Sequence, residues 1–128
     1  AAYDLALDYC RERVQGGKPL SEHTTVQKML FDMFTKIETS RAYSRAALQY
    51  NMSTSPPATQ YSIAAKVYCT QAAFEVTSTA LQLFGGNGQT KEYPIEKLFR
   101  DARAGMIEDG SNESLALAAA NLLVRGEE

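Results

Sequence analysis

Apolar residues recur along most of this chain with the period of an α-helix. From Ala2 to about Val14 they follow helical spacing, and this first helix is predicted to end at Gln15–Pro19, where two glycines and a proline oppose continuation. A second helix is predicted from about Glu22 to Asn51, with Ser21 placed to cap its start. Its stripe consists of Val26, Leu30, Met33, Ile37, Ser40, Ser44 and Ala47.

A third helix is predicted after Ser55-Pro56-Pro57, because proline is tolerated in the first turn of a helix. A turn follows at Gly85–Gly88, then a short helix from Ile95 to about Ala104 and a closing helix from Ser111 to Val124. We find no strand candidate of useful length. The stripe of the third helix consists of Ile63, Val67, Thr70, Phe74, Thr77, Leu81 and Phe84.

The linker between the second and third helices, residues 52–59, is short and rich in Ser, Thr and Pro. Two long helices joined in this way must lie antiparallel, with their apolar stripes in contact and further helices covering the rest. We therefore predict an all-α fold, an antiparallel four-helix bundle in up-down-up-down order with a short extra helix. The stripes indicate a bundle core and not a cofactor cage.

Composition narrows the function classes. A chain of 128 residues with 45% hydrophobic content is expected to form a single domain, residues 1–128, around one core. The formal charge of -2 without a basic stripe argues against nucleic acid as a partner. No run of about 18 apolar residues and no signal-peptide pattern is present, so we expect a soluble protein without a membrane span.

Three further residue patterns bear on the cellular compartment, on metal binding and on whether the chain belongs to a longer one. Cys10 and Cys69 stand far apart without C-x-x-C spacing, so we expect reduced thiols in a cytoplasmic compartment. His23 is the only histidine and has no neighbouring ligand set, so no metal site is expected. The helical pattern starts at Ala1 without a capping residue, which indicates a fragment of a longer chain.

The most distinctive segment is glycine-rich and runs Gln82-Leu83-Phe84-Gly85-Gly86-Asn87-Gly88. These glycines end a helix instead of following a strand, which excludes a Rossmann dinucleotide loop. The residues alone are compatible with a left-handed helix C-cap or with a backbone that another molecule approaches closely. Extended to Asp101, the segment closely resembles the signature of acyl-CoA dehydrogenases. The similarity continues through residues 9–13, 18–23 and 107–111.

The resemblance implies a place in a larger enzyme. Members of this family have a helical, a β-barrel-like and a second helical domain, and the last packs into a tetramer and helps to hold FAD. This chain is similar to the last domain alone, so it is expected to be the C-terminal bundle of a three-domain flavoprotein and inactive in isolation. The implied partners are FAD, an acyl-CoA thioester, an electron-transfer acceptor and further copies of the chain in a homo-oligomer (dimer or tetramer).

The resemblance also implies cofactor-binding residues. Arg13 matches an arginine that contacts the flavin diphosphate, a role that suits the guanidinium fork, although a solvated charge at a helix end is the alternative. Ser111 stands where a threonine usually touches the cofactor. The stretch that matches the binding site for the adenosine part consists of Gln82, Leu83, Phe84, Gly85 and Gly86.

Three positions depart from the family pattern. Gly16 replaces a phenylalanine that often lies against the adenine, and Thr24 replaces a glutamine from the same neighbourhood. Glu113 replaces a glutamine and brings a negative charge near the expected diphosphate. These departures, together with an aspartate at position 109, leave open a second hypothesis, in which the bundle is a non-catalytic oligomerisation module with a lost or altered active site.

The family reaction needs a carboxylate that removes the α-proton of the thioester while hydride leaves the β-carbon for FAD, giving an enoyl-CoA. Aligned on Gly110-Ser111, the usual position of this base holds Asp109, with Glu108 one residue earlier. Some relatives that act on cyclic carboxyl-CoA thioesters are similar in using aspartate, so an alicyclic substrate is one possibility. Three alternatives stay open: Glu108 is the base, Asp109 is only an N-terminal cap of the last helix, or the base precedes Ala1.

Overall fold

The computed structural model describes residues 1–126, and over this range the chain forms five α-helices and one small hairpin. The helices are α1 (Ala2–Glu12), α2 (Thr24–Ser53), α3 (Thr59–Phe84), α4 (Ile95–Gly105) and α5 (Asn112–Arg125). Two-residue strands, β1 (Val14–Gln15) and β2 (Lys18–Pro19), pair antiparallel around Gly16-Gly17. The prediction of an all-α fold is confirmed, and α4 is the short extra helix.

The helices α2 and α3 lie antiparallel, as the short linker between them requires. Their contacting residues show this, because the residue number rises on one helix as it falls on the other. The pairs that show this along the interface are Lys36 with Glu75, Tyr43 with Tyr68 and Tyr50 with Tyr61.

The central element is α3, which contacts each of the other four helices of the described chain. Tyr9 of α1 contacts Phe84 at the end of α3. Phe74 in the middle of α3 packs against Phe99 of α4, with ring centroids 5.2 Å apart, and the Arg103 guanidinium lies 6.0 Å from the centre of the same Phe74 ring. A helix with neighbours on several sides must bury more than one stripe.

The burial pattern of α3 follows from this position. Of its predicted stripe, Thr77 and Phe84 are buried, but a second set of small and apolar residues is buried as well: Ala65, Ala72, Val76, Ala80 and Leu83. The predicted stripe therefore covers one buried face of this helix, and the small residues form a second one. The main core lies near the end of α3 and consists of Ala2, Ala6, Cys10, Leu30, Met33, Val76, Ala80, Leu83, Phe84 and Ile95.

The predicted cap of the second helix is wrong, whereas the third helix begins where it was expected. Ser21 does not cap α2, because Leu20–Glu22 form a separate 3-10 turn and the helix begins at Thr24 after His23. The His23 ring instead contacts the Gln15 carbonyl oxygen at 2.9 Å. The third helix begins at Thr59 after Ala58, following Pro56 and Pro57 as predicted. At the start of α2 alone, residues assigned to a helix lie in a 3-10 turn.

Both cysteines are free thiols, as predicted. Burial raises the pKa of the Cys10 thiol, since the thiolate would lose its hydration in the core. No helix in residues 1–126 combines the length and apolar character needed to cross a bilayer.

Candidate functional site

The glycine-rich turn begins where α3 ends. Gly85 has a φ of 60°, and its N–H donates to the Gln82 carbonyl oxygen. Its ψ of -138° lies outside the left-handed helical region, so the predicted left-handed C-cap is wrong in detail. The chain continues instead into a 3-10 turn, Gly85–Gln89.

Aromatic side chains hold this turn against α1. The Tyr9 ring stacks on Phe84 with centroids 4.2 Å apart, and Tyr93 meets both rings edge-on. The Asn87 side-chain amide donates to the Tyr9 hydroxyl oxygen at 2.9 Å. The Tyr9 hydroxyl in turn donates to the Phe84 carbonyl oxygen at 3.4 Å, so packing and two hydrogen bonds to one side chain of α1 fix the position of the turn.

A cleft of about 410 Å³ opens between the turn and the end of α1. It brings Arg13 together with four of the five predicted adenosine-binding residues, Leu83, Phe84, Gly85 and Gly86, while Gln82 is exposed beside it. The Arg13 guanidinium is exposed and forms no ion pair or hydrogen bond within residues 1–126. One side of the cleft thus carries the unpaired Arg13 guanidinium, and the other side exposes the backbone of Gly85 and Gly86.

Gly88 and Gly86 of the turn differ in whether internal packing requires a glycine at that position. A Cβ at Gly88 would lie 2.7 Å from the Leu81 carbonyl oxygen and 3.1 Å from Phe84 Cβ, so this glycine is required by internal packing. A Cβ at Gly86 would meet nothing within 4 Å, and its φ is not positive. Gly86 therefore has no internal reason to be glycine.

The second group of predicted residues lies in the loop between α4 and α5. Glu108 and Asp109 are exposed there, and neither carboxylate is paired with another described residue. Asp109 has a φ of 54° and is the one non-glycine residue with positive φ in the described range. Such backbone conformations concentrate at functional sites, although aspartate tolerates this one better than most residues.

The interpretation of Asp109 as the N-cap of the last helix is wrong. Ser111 occupies that position, and its hydroxyl oxygen accepts from the Ser114 backbone N–H at 3.2 Å. Gly110 precedes it with a φ of 98°, and a Cβ there would lie 3.1 Å from Leu115 Cδ2. The loop therefore turns sharply just after Asp109.

One functional candidate in this loop region escaped the sequence analysis. Lys66 of α3 is half-buried, and its ammonium donates to the Gly110 carbonyl oxygen at 2.9 Å and to Asn112 Oδ1 at 2.8 Å. The sequence feature that could have indicated this role is the spacing of Lys66, three residues after Ile63 and four before Thr70. This spacing places a charged side chain on the apolar side of the helix.

The two groups of predicted residues lie in different parts of the fold. Thr70, beside the loop, and Phe84, at the glycine turn, are about 14 residues apart on α3, roughly 21 Å along the helix axis. Asp109, Glu108 and Ser111 therefore do not line the cleft that contains Arg13. The structure provides two separate surfaces.

The three positions that depart from the family pattern lie in the hairpin, at the start of α2 and in the first turn of α5. Gly16 lies in the hairpin with a φ of 61°, and a Cβ there would lie 3.3 Å from His23 Cε1. Thr24 is the exposed first residue of α2, and Glu113 is exposed in the first turn of α5. The hairpin conformation therefore explains the glycine at position 16 without reference to a ligand.

Two other features bear on chemistry. A cleft of about 470 Å³ between the start of α1, α2 and α3 is lined by none of the predicted site residues. Within residues 1–126, no group of three or more His, Cys, Asp and Glu side chains could hold a metal ion.

Comparisons with known proteins agree with the motif resemblance. The family model described as "Acyl-CoA dehydrogenase, C-terminal domain" matches residues 1–123. The chain is 36% identical over 125 residues to a cyclohexane-1-carbonyl-CoA dehydrogenase of Geobacter metallireducens, covering 97% of this chain and 32% of that protein. It is 32% identical over 126 residues to a subunit of the caffeyl-CoA reductase-Etf complex of Acetobacterium woodii, with coverages of 97% and 32%.

A solved structure shows the same architecture. Butyryl-CoA dehydrogenase from Megasphaera elsdenii superposes with a TM-score of 0.90 at 34% identity, covering 97% of this chain and 32% of that one. The chain thus spans about a third of the length of these relatives. From the family match and the shared fold, this chain belongs to the acyl-CoA dehydrogenase family, in which it corresponds to the C-terminal helical domain.

Proposed function

We propose that this chain is the C-terminal domain of an FAD-dependent acyl-CoA dehydrogenase and works within a longer three-domain protein. The observation that carries the proposal is the cleft in which the unpaired Arg13 guanidinium faces the glycine turn. A guanidinium without an internal partner suits a diphosphate, since its N–H donors match phosphate oxygens. The open space at Gly85 and Gly86 suits the close approach of a flat ring system.

The residues of this cleft fit the adenosine and diphosphate part of FAD. Arg13 would hold a diphosphate oxygen, and the backbone of Leu83–Gly86 would support the adenosine, with Gln82 at the rim. Ser111 lies at the other surface, so we assign it to a different part of a flavin, close to the base loop. The distance between the surfaces favours two flavins, each shared between copies of the chain.

We assign the base to Asp109. Bound FAD supplies the hydride acceptor of the reaction. The Asp109 carboxylate takes the α-proton of the thioester, the electrons of that C–H bond form the α,β double bond, and hydride departs from the β-carbon. Two hydrogens leave the substrate, one as a proton on Asp109 and one as hydride. Glu108, exposed one residue earlier, is the alternative base.

The names of two relatives support finer proposals. One is a cyclohexane-1-carbonyl-CoA dehydrogenase, which together with the aspartate at position 109 favours an alicyclic acyl-CoA substrate. Another belongs to a complex with Etf, which favours an electron-transfer protein as the acceptor. A cytoplasmic location fits both proposals.

Exposed apolar residues favour assembly into a homo-oligomer, a dimer or a tetramer. Several large side chains of α2 and α5 are more than half exposed, which is unusual for the surface of a monomer. This also supports the second candidate function, a non-catalytic oligomerisation module. The residues are Phe31, Leu48, Met52, Leu117, Leu123 and Val124.

The visible spectrum of the full-length protein tests the proposal against this second candidate. An acyl-CoA dehydrogenase should purify with bound flavin, and anaerobic addition of cyclohexane-1-carbonyl-CoA or butyryl-CoA should bleach its absorbance. Faster bleaching by the cyclic thioester would support the alicyclic substrate. A full-length protein that forms oligomers but retains no flavin after reconstitution with FAD would favour the assembly module.

A further inference from the structure

Asn112 is the most connected buried polar side chain of the described chain. It is 7% exposed and lies at the first position of α5, directly after the loop that contains Asp109. Its Nδ2 donates to the Thr70 hydroxyl oxygen at 2.9 Å, and its Oδ1 accepts from Lys66 Nζ at 2.8 Å. A buried amide that is satisfied from both ends fixes the geometry of the groups around it.

Lys66 extends this network to the loop itself. The same ammonium donates to the Gly110 carbonyl oxygen at 2.9 Å, so one side chain of α3 holds both Asn112 and the residue that follows Asp109. No carboxylate of the described residues pairs with Lys66, whose two contacts are to neutral oxygens. Burying part of a charged ammonium without an acidic partner costs stability unless hydrogen bonds compensate, and here two neutral oxygens accept them.

Backbone hydrogen bonds hold the loop before Asp109, where the Ile107 and Glu108 N–H groups donate to the Ala104 carbonyl oxygen at 2.8 Å and 3.0 Å. Asp109 has a φ of 54°, and Gly110 follows with a φ of 98°. The Asn112 N–H donates to the Met106 carbonyl oxygen at 3.0 Å, which closes the loop at its base but leaves the Gly110 peptide to Lys66. The hydrogen bond from Lys66 therefore fixes the peptide next to Asp109.

We propose that Lys66, with Asn112 and Thr70, is a positioning residue for the Asp109 base: it clamps the Gly110 carbonyl to α3 and so fixes the direction of the Asp109 side chain. The proposal rests on the proposed function of Asp109. Displacement of a reacting group by about 1 Å can cost on the order of 100-fold in rate, so a clamp one residue away can control catalysis without touching the substrate.

Lys66→Met tests the clamp in the full-length flavoprotein, because methionine keeps the apolar stem and removes the donors. We expect the rate of flavin reduction by acyl-CoA to fall about 10-fold to 100-fold, with KM changed less than about 3-fold and flavin content unchanged. The slowed step should show a primary isotope effect with α-deuterated substrate. Lys66→Arg, which restores donors, should recover part of the rate. Lys28→Met, at a surface ion pair with Asp32, is the matched control.

A second measurement needs no substrate. Hydrogen exchange of residues 106–112 should become faster in Lys66→Met, while exchange in α1 and α2 stays as in the unmodified protein. If Lys66→Met does not fold, Lys66→Gln replaces it in both measurements. Unchanged reduction rate and unchanged loop exchange in the variant that folds would overturn the clamp.

The outcome for Asp109→Asn separates the assignment of the base from the proposal of the Lys66 clamp. If this variant retains the unmodified rate, the base assignment fails and the clamp fails with it. If Asp109→Asn is inactive while Lys66→Met reduces its flavin at the normal rate, the proposed function stands and the clamp alone is rejected.

Discussion

The Tyr9 ring lies stacked on Phe84, 4.2 Å between centroids, and its hydroxyl receives a hydrogen bond from the Asn87 amide at 2.9 Å. These contacts join α1 to the glycine turn, although Tyr9 and Asn87 are 78 residues apart in the sequence. Because Arg13 directly follows α1, these contacts also bring its backbone close to the turn.

Tyr9→Phe is expected to lower the free energy of unfolding by about 0.5–1.5 kcal/mol, because it keeps the stacked ring and removes the hydroxyl that accepts from the Asn87 amide and donates a long hydrogen bond to the Phe84 carbonyl oxygen. Chemical denaturation of the variant measures this change. Tyr61→Phe is the matched control, since the Tyr61 ring packs on Tyr50 and its hydroxyl has no hydrogen bond among the described residues. Equal effects of both substitutions would contradict the importance of the Asn87 bond.

Gly88→Ala and Gly86→Leu should separate stability from cofactor binding. Alanine at 88 would place Cβ 2.7 Å from the Leu81 carbonyl oxygen, so we expect a loss of about 1–3 kcal/mol of stability. Leucine at 86 has open space around its Cβ and should change stability by less than about 0.5 kcal/mol, but its side chain would fill part of the cleft. Flavin content and melting temperature of the full-length variants provide the two measurements. Full flavin occupancy in Gly86→Leu would argue against the cleft as the adenosine site.

Arg13→Met should weaken FAD binding by about 10-fold to 100-fold, the equivalent of one lost charge-assisted contact of about 1.5–3 kcal/mol. Equilibrium dialysis or fluorescence titration of the apoprotein with FAD measures the Kd. Arg45→Met is a suitable control, because Arg45 is also exposed and has no ion pair in the described chain, but it does not line the cleft. Identical Kd values for the two variants would remove Arg13 from the site.

Asp109→Asn should slow flavin reduction by about 100-fold to 10,000-fold, because an amide cannot accept the α-proton. Asparagine also tolerates positive φ, so the backbone at 54° is kept and the change is confined to the carboxylate. Stopped-flow reduction under anaerobic conditions measures the rate. Glu108→Gln, one residue earlier, is expected to stay within about 3-fold of the unmodified enzyme. The reverse result would move the base to Glu108.

Helix periodicity predicted the fold because each long helix has enough repeats to identify its apolar side. It did not identify Ala65, Ala72 and Ala80 as core, since alanine is common on both sides of helices and only the number of neighbours around α3 decides the question. Helix starts were less predictable for a related reason. The Ser21 hydroxyl could cap a helix, but Ser21 lies within a 3-10 turn and α2 begins only at Thr24.

Those residues of the candidate site that belong to a recognisable sequence motif were predictable. Arg13 and the glycine turn were found by resemblance, and the structure brings them to one cleft. Lys66 was not found, because its role depends on a contact with Gly110, 44 residues later in the chain. The helical spacing places Lys66 beside Ile63 and Thr70 but carries no information about the contact with Gly110.

The length of α3 has a further consequence. The clamp near its beginning and the glycine turn at its end are joined by uninterrupted helix, so their relative orientation is set by a count of residues and not by side-chain chemistry. Insertion of one residue between Thr70 and Phe84 would rotate one surface against the other by about 100° and shift it by about 1.5 Å. We expect natural variation in length to fall in the loops on either side of this helix.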